Sequence, residues 1–269
     1  MNSASAKRGG ALISSAAIAE QYQKSIVALI QRMCAEAERD LKAMFNDPGY
    51  AMDAVDGNPV SRSRIIINHL KRKYGAYFTK LAKSATDRMI KQTVRHSTVT
   101  LGMSLRELGA ELELSPKFLE SGRLREIVMA STQEAAQLIK TIPDNYLSQV
   151  QGQVMRSITT GSGMETLMPF MREKYGQNVR KARSVANDQT RKAYSSISNA
   201  RLQAAGVKKF EWCHSHGGKT PRKQHLDWNG KIFRFDQPPV DDAFGAVLPG
   251  IAINCRCFAR PILDFGDED

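Results

Sequence analysis

The sequence predicts an α+β protein, with a largely α-helical N-terminal body of long helices followed by a small C-terminal α+β domain with short strands. Three observations support this prediction. Apolar residues recur at steps of three and four along much of the first 200 residues, as on the buried side of amphipathic helices. After Gly206 the chain changes to aromatics, prolines, glycines and short β-like runs such as "KKFEWCH" and "GKIFRF". The hydrophobic content of 42% is ordinary for a chain that buries a core.

Composition and periodicity divide the chain into four regions. We predict a disordered N-terminus at 1–16, a helical and basic region at 17–140, a C-terminal domain at 141–264 and an acidic tail at 265–269. Each boundary follows a change in the local pattern. Small polar residues give way to helical periodicity, then come the further helices and short β-like runs of the C-terminal domain, and last a run of acidic residues.

Helix ends follow from the prolines and glycines. A first helix is predicted from Ile18 to about Phe45, before a loop at 46–59 that contains two prolines and two glycines. A second long helix is predicted at 61–99, with an apolar seam. The seam consists of Ile67, Leu70, Tyr74, Tyr77 and Leu81. Pro143 and the segment 159–163 separate further helices, and the last helix, at 176–206, ends at Gly206 as its C-cap.

The net charge of +12 is concentrated in the second predicted helix. Ten basic residues and one acidic residue lie between positions 62 and 95. The basic residues are Arg62, Arg64, Lys71, Arg72, Lys73, Lys80, Lys83, Arg88, Lys91 and Arg95. This distribution is typical of a helix that contacts double-stranded DNA without sequence preference, and equally of a solvated helix face.

Membrane and secretory classes are not favoured by the sequence. Its apolar runs are only a few residues long, far below the ~20 residues that a transmembrane helix needs, and no secretory signal is visible. We therefore expect folding in a reducing cytoplasm, where four cysteines favour free thiols or metal ligands, and we expect no membrane partner.

The clustered cysteines and histidines of the C-terminal domain predict a zinc site. If "INCRCFA" is a strand, Cys255 and Cys257 lie on one face and Arg256 on the other. Together with His225 and Cys213 these thiols could complete a tetrahedral site. His214 or His216 is an alternative fourth ligand. Two other interpretations stay open, buried thiols beside a hydrogen-bonded His225 and a disulfide from Cys213 to one of the other two cysteines.

The sequence offers no recognisable catalytic set. It lacks the His-x-Glu of a zinc deaminase, a phosphate-binding loop and a dinucleotide fingerprint, and a Gly-x-Ser-x-Gly segment. We expect no enzyme. The alternative is a metal-dependent nuclease or toxin-like enzyme that uses the same histidines and cysteines.

These pieces together resemble the C-terminal domain of the phage Mu F-like minor head proteins, the phage head-morphogenesis family. The resemblance covers about residues 141–263, with a Thr/Arg-bearing helix, a tryptophan, an Arg-x-x-His segment and a closing Asn-Cys-Arg-Cys. The matching positions are Thr190, Arg191, Trp212, Arg222, His225, Gly230, Asn254, Cys255, Arg256 and Cys257. The segment from Leu226 to Gly230 is two residues longer than the Leu-Asp-Gly of the family.

The resemblance implies a minor head protein of a bacteriophage, present in few copies near the portal vertex of the procapsid and the virion, after assembly in the host cytoplasm. It implies the portal protein and the major capsid or scaffolding protein as partners. In some members it implies DNA contact during packaging or ejection, without enzymatic activity. Some relatives carry a fused toxin or ADP-ribosyltransferase domain. Because this chain ends at Asp269, we expect no such domain here.

Overall fold

The computed structural model of the protein describes residues 7–47, 58–108, 122–218 and 220–263. Within these ranges the chain forms long helices followed by short strands, which confirms the predicted α+β class. The described elements are β1 (Lys7–Arg8), α1 (Ala16–Phe45), α2 (Pro59–Glu107), α3 (Gly122–Lys140), α4 (Ile142–Thr159), α5 (Gly163–Ala204), β2 (Lys209–Cys213), α6 (Lys223–Asp227), β3 (Ile232–Arg234), β4 (Val240–Asp241), β5 (Gly245–Ala246) and β6 (Phe258–Leu263). The predicted acidic tail at 265–269 lies outside the described residues.

Helix α2 is longer than predicted, and its buried seam differs at the last two predicted positions. Ile67, Leu70 and Tyr74 are at most 1% exposed, as expected. Tyr77 is 42% exposed and Leu81 only half-buried, and the buried residues in their places are Phe78 and Ala82. Eleven residues make about three turns of an α-helix, so position 78 lies above position 67, whereas a strict 3–4–3 step drifts off the buried side.

Helix α5 begins at Gly163, earlier than the predicted start at residue 176, so both Pro169 and Gly176 lie inside it. Leu167 and Met171, which flank the proline, are at most 2% exposed, so packing holds this turn in place. The predicted C-cap is confirmed. Gly206 has φ +80°, and the backbone N–H of Val207 donates to the carbonyl oxygen of Leu202 at 3.0 Å, the bond that closes a Schellman motif.

The chain folds into two compact units, each assembled from separate stretches of sequence. The sheet unit comprises Met1–Ala19, Arg88–Gln133 and Asn187–Asp269. The helical unit comprises Glu20–Asp87 and Glu134–Ala186. The division therefore differs from the single boundary that composition placed near residue 140, since α2 and α5 each supply residues to both units.

The sheet unit contains a four-stranded antiparallel sheet with the strand order β1–β6–β2–β3. Strand β1 pairs Lys7 with Leu263 and Arg8 with Ile262, and Leu12 is 3% exposed. Disorder was predicted for 1–16, but residues 7–16 are ordered, because the edge of β6 supplies hydrogen-bond partners that local composition does not reveal. Strands β4 and β5 form a separate hairpin.

The core of the sheet unit combines distant parts of the chain. Leu12, Leu101, Leu105 and Leu108 pack in one cluster with aromatic and aliphatic residues from the C-terminal part of the chain. Trp212, the largest of these, is fully buried. Residues far upstream of the C-terminal domain therefore complete its core.

The helical unit is held by contacts between α1 and α2. Tyr22 Oη and Thr86 Oγ1 lie 2.9 Å apart in a buried hydrogen bond. The Glu36 carboxylate accepts from Lys73 Nζ at 2.6 Å and from Tyr74 Oη at 2.7 Å. Among the described residues, no helix is long and apolar enough to span a bilayer.

Candidate functional site

The predicted His/Cys cluster forms in the sheet unit, where α6 faces the turn that precedes β6. His225 on α6 is 2% exposed, Cys255 is 3% exposed and Cys257 is 5% exposed. The ligand atoms of these three residues all lie within 4.8 Å of one another. The structure thus brings together three of the predicted metal ligands in a buried position.

The two cysteines do not lie on a strand, so that prediction is wrong. Strand β6 begins only at Phe258. Gly250 with φ +81° and Asn254 with φ +57° place two left-handed turns before the cysteines, and such turns interrupt an extended strand. Both thiols are nevertheless buried while Arg256 between them is exposed, the arrangement expected from alternation.

One ring nitrogen of His225 faces both sulfurs. His225 Nδ1 lies 3.5 Å from Cys255 Sγ and 3.6 Å from Cys257 Sγ. The other nitrogen, Nε2, lies 3.2 Å from Oδ2 of the buried Asp241, which is an ion-pair distance. Its N–H direction is not aligned for a hydrogen bond to any described residue. The carboxylate therefore fixes the side of the ring that faces away from the thiols.

Asp241 is held by the β4–β5 hairpin. Its Oδ1 accepts hydrogen bonds from the backbone N–H groups of Ala243 at 2.8 Å and Phe244 at 3.1 Å. Burial raises the pKa of Asp241, but these two hydrogen bonds and the charges of His225 and Arg222 outweigh burial, so the pKa lies below its usual value of 3.8. The carboxylate beside His225 is therefore ionised.

Two tryptophans enclose the imidazole. The ring of Trp228 stacks on His225 with centroids 5.1 Å apart, and Trp212 meets it edge-on at 4.9 Å. These aromatic walls exclude water, which strengthens every electrostatic interaction inside the cluster.

The two thiols differ in acidity because they share a hydrogen bond. The bond from Cys257 lowers the pKa of Cys255 to about 4 against the opposing effect of burial, and His225 lowers it further. The same bond, together with burial, raises the pKa of Cys257. The pair therefore loses its first proton readily and holds the second.

Cys213 does not join the cluster, although we predicted it as a ligand. Its Sγ lies 3.8 Å from the carbonyl oxygen of Glu211. Side chains alternate along β2, and Trp212 faces His225, so Cys213 faces the opposite side of the sheet. All four cysteines are free thiols, so the disulfide interpretation is not realised in the structure.

The alternative fourth ligands lie at the end of β2. His214 Nδ1 accepts a hydrogen bond from the backbone N–H of His216 at 3.0 Å. Burial lowers the pKa of His214, and its charge also interacts with those of His216, Cys255 and His225. His216 is exposed and has φ +54°. Of the two, His214 is the one coupled to the cluster.

The remaining motif residues support the two loops around the cluster. Arg222 Nη2 donates to the carbonyl oxygen of Ile253 at 2.8 Å, and its guanidinium stacks on Phe244 at 4.9 Å. Gly230, with φ +79°, donates its N–H to the Trp212 carbonyl oxygen at 2.8 Å. Thr190 on α5 is 1% exposed. These roles are structural.

Two motif arginines line a cavity of about 460 Å³ within the sheet unit. Arg191 and Arg256 face it together with His214 and the N-terminal segment 12–16. Burial lowers the pKa of Arg191, and the charge of Arg256 lowers it further. Arg256 Nη1 also hydrogen-bonds to the carbonyl oxygen of Gly217.

The ten basic residues of α2 separate into two groups. Three are engaged: Arg62 with Asp47 at 2.5 Å, Lys73 with Glu36 at 2.6 Å, and Lys71 with the Ser148 hydroxyl at 2.9 Å. The other seven are exposed. They are Arg64, Arg72, Lys80, Lys83, Arg88, Lys91 and Arg95.

Sequence reasoning missed two acidic residues of the site. Asp241 sits in "DQPPVDD", where it looks like one more loop carboxylate. Asp188 on α5 accepts a 2.5 Å hydrogen bond from the backbone N–H of Asn254 through Oδ1. Neither spacing nor periodicity indicates either contact, because both join segments that are distant in sequence.

Comparison with known proteins identifies one family and one relative. Residues 148–260 match the family model described as "Phage Mu protein F like protein". An uncharacterised protein of Haemophilus influenzae is 25% identical over 247 residues, which cover 92% of this chain and 54% of the relative. The chain therefore spans about half the length of that relative. No solved structure matches.

Proposed function

We propose that this chain is a minor protein of a bacteriophage head, because residues 148–260 match the family model described as "Phage Mu protein F like protein". It is mounted in few copies during head morphogenesis, near the portal vertex, and remains in the virion. Its partners in the procapsid are the portal protein and the major capsid or scaffolding protein. The family match over 148–260 carries this proposal.

The geometry of the motif residues supports a role in assembly over a role in catalysis. His225, Cys255 and Cys257 are at most 5% exposed, and Trp212 and Trp228 cover His225. A substrate could not reach the imidazole or either sulfur without opening the core. The same groups do what a structural cluster must do, which is to hold α6 against the turn that precedes β6.

The absence of catalysis is part of the proposal, and a cleavage assay tests it. Incubation with double-stranded DNA and divalent metal ions should give no products above the background of a His225→Ala preparation. Metal-dependent cleavage by the parent chain that the variant lacks would instead establish the nuclease alternative.

The test of the main proposal is quantitative mass spectrometry of purified phage particles and of empty procapsids. We expect the protein in both, at a few copies per particle, and absent from particles made by a phage that lacks its gene. Particles of the gene-deleted phage should also show a defect in head assembly. Abundance in the lysate with none in either particle would overturn the proposal.

We further propose that α2 contacts the packaged DNA without sequence preference. Seven of its basic residues are exposed, and the described residues provide no ion pair for them. Each lysine or arginine that neutralises a phosphate releases counterions, so affinity depends steeply on salt, with a slope of about −0.9 per contact in a log–log plot.

A charge-matched pair of triple variants tests the DNA contact. Replacing Lys80, Lys83 and Lys91 with Gln should weaken DNA binding and reduce the salt slope by up to about 3 units. Replacing the exposed Lys208, Lys223 and Lys231 with Gln removes the same charge elsewhere and should leave the slope unchanged. Equal losses in the two variants would mean that only net charge matters and that α2 has no specific role.

A further inference from the structure

We propose that His225, Cys255 and Cys257 bind one zinc ion, which fixes α6 to the turn before β6. The ligand atoms are His225 Nδ1 and the two Sγ atoms, and all three lie within 4.8 Å of one another. This inference does not depend on the function of the protein in a phage particle. It concerns the chemistry of the buried cluster alone.

The distances fit tetrahedral zinc. With Zn–S of about 2.3 Å and Zn–N of about 2.05 Å, the edge of a tetrahedron between sulfur and nitrogen is about 3.6 Å. The observed Nδ1–Sγ distances are 3.5 and 3.6 Å. Each sulfur therefore already stands at the separation from Nδ1 that a shared zinc ion would impose, and Nδ1 rather than Nε2 faces the sulfurs.

The groups behind the ligands are those that a zinc site requires. Asp241 lies 3.2 Å from His225 Nε2, the position of the carboxylate in a carboxylate–histidine–zinc arrangement.

Two buried donors near the cluster lack aligned acceptors among the described residues, namely Trp212 Nε1 and His225 Nε2. A buried donor without a partner costs about 1–3 kcal/mol, so its presence in a core needs a physical reason. With zinc bound, both sulfurs are thiolates, and His225 must carry its proton on Nε2. The indole N–H then has an anionic sulfur on Cys257 to interact with, and the imidazole proton lies on the nitrogen that is 3.2 Å from the Asp241 carboxylate.

Zinc also balances the charge of the two sulfurs. Both cysteines bind the metal as thiolates, so their protons are released to solvent on binding and the divalent cation neutralises the two sulfurs. Among the described residues no other His, Cys, Asp or Glu joins the group of three, so water would take the fourth position unless the nearby His214 moves in.

The experiment measures the metal content of the full chain, purified without an affinity tag that binds metal. We expect one zinc per chain by plasma mass spectrometry. Cys255→Ser, Cys257→Ser and His225→Gln should each lower the bound zinc at least tenfold. The matched control is Cys213→Ser, because Cys213 is also a buried thiol, 8% exposed, on the other side of β2, and this variant should keep the full metal content.

A second measurement covers the case in which the ligand variants do not fold. The parent chain, stripped with a chelator, is titrated with Co²⁺. Two thiolate ligands in a tetrahedral site give an intense sulfur-to-cobalt charge-transfer band and strong visible absorption, and added zinc should abolish both. His214→Ala then identifies the fourth ligand. A changed visible band means that His214 occupied the fourth position and that water has replaced it. An unchanged band means that water is the fourth ligand in the parent chain as well.

Either of two results would overturn the proposal. One is a folded parent chain that holds less than a tenth of an equivalent of zinc after incubation with the ion, and that gives no cobalt band. The other is full zinc content in folded Cys255→Ser, which would place the metal elsewhere.

Discussion

At position 254 the backbone adopts the left-handed conformation, with φ +57°, and this explains the asparagine of the Asn-Cys-Arg-Cys motif. Asparagine is among the few residues with a side chain that tolerate this region. The backbone N–H of Asn254 is also held by Asp188 at 2.5 Å. The turn presents the next residue, Cys255, to His225, so the conformation of residue 254 sets the position of the first thiol.

Two substitutions at position 254 separate backbone strain from side-chain contacts. Asn254→Gly and Asn254→Ala both remove the side-chain amide. Alanine keeps the Cβ atom, which disfavours a positive φ, whereas glycine does not. We expect the alanine variant to be less stable than the glycine variant by about 1–2 kcal/mol, the cost of left-handed backbone for a residue with Cβ. Urea denaturation followed by tryptophan fluorescence measures the difference, because Trp212 and Trp228 lie beside the turn. Equal stabilities would show that the turn relaxes freely.

The residues of the cluster could be predicted from sequence only in part. The Asn-Cys-Arg-Cys segment and His225 were identified by residue type and spacing, and they do come together. The expected fourth ligand, Cys213, could have been rejected from sequence. Adjacent residues of a strand face opposite sides of the sheet, and a tryptophan at position 212 is expected to face the core, so Cys213 faces away from it. Asp241 gave no such signal. Its role depends on the β4–β5 hairpin, which places it 3.2 Å from a residue sixteen positions away.

At the scale of elements, helices were predicted well and strand boundaries less well. The buried side of a helix repeats within a few residues, so local periodicity indicates α1 and most of α2. Strand β1 has only two residues, Lys7 and Arg8, and no pattern of its own. It exists because β6 offers an edge to pair with, and a partner more than 250 residues away is not visible in a local window.

The α1–α2 pairing makes a prediction about pH. Hydrogen bonds from Lys73 and Tyr74, with the charges of Lys73 and Arg39, lower the pKa of Glu36 below its ordinary value of 4.5, against a smaller opposing effect of burial. A carboxylate with a lowered pKa in the folded state adds stability that is complete above the unfolded pKa. That stability is lost as the pH falls through the lower, folded pKa.

Glu36→Gln tests this linkage. At pH 7 the variant should be less stable than the parent by about 1.5–3 kcal/mol, the range for a hydrogen bond to a charged group. The difference should shrink once the pH falls below 4.5. The Glu36 carboxylate of the parent then becomes protonated and neutral, whereas the amide of the variant is neutral at every pH. Thermal unfolding across this pH range supplies the measurement. Asp40→Asn is the control, since Asp40 lies on the same helix and its one ion pair within the described ranges is with the exposed Arg39. A stability difference between the parent and Glu36→Gln that stayed constant with pH would contradict the proposed contribution of the Glu36 carboxylate.

At the scale of the whole molecule, the sequence gives no indication that the sheet unit is discontinuous. Composition changes sharply near Gly206, and the family match begins only at residue 148, so a boundary near 140 was the natural prediction. The sheet unit nevertheless takes in Met1–Ala19 and Arg88–Gln133. The leucines that complete its core belong to stretches that locally resemble any other amphipathic helix or polar terminus.

This composition of the core predicts that the matched segment cannot fold well alone. A fragment of residues 141–269 lacks Leu12, Leu101, Leu105 and Leu108, which are at most 3% exposed in the full chain. Burial of each leucine contributes about 1.5–3 kcal/mol, so the four together contribute about 6–12 kcal/mol, which approaches the entire stability of a typical domain. The fragment also lacks β1 and leaves the edge of β6 unpaired.

We therefore expect the fragment 141–269 to bind a hydrophobic dye and to unfold without a cooperative transition, whereas the full chain melts cooperatively. A longer fragment, 88–269, regains Leu101, Leu105 and Leu108 and is the matched comparison. It should recover part of the cooperativity and lose most of the dye binding, because only Leu12 and β1 are then missing from the described core. Calorimetry and dye fluorescence of the three chains measure this order. If 141–269 melted as sharply as the full chain and at a similar temperature, the upstream leucines would be dispensable, and the C-terminal domain would be independent, as its sequence first suggested.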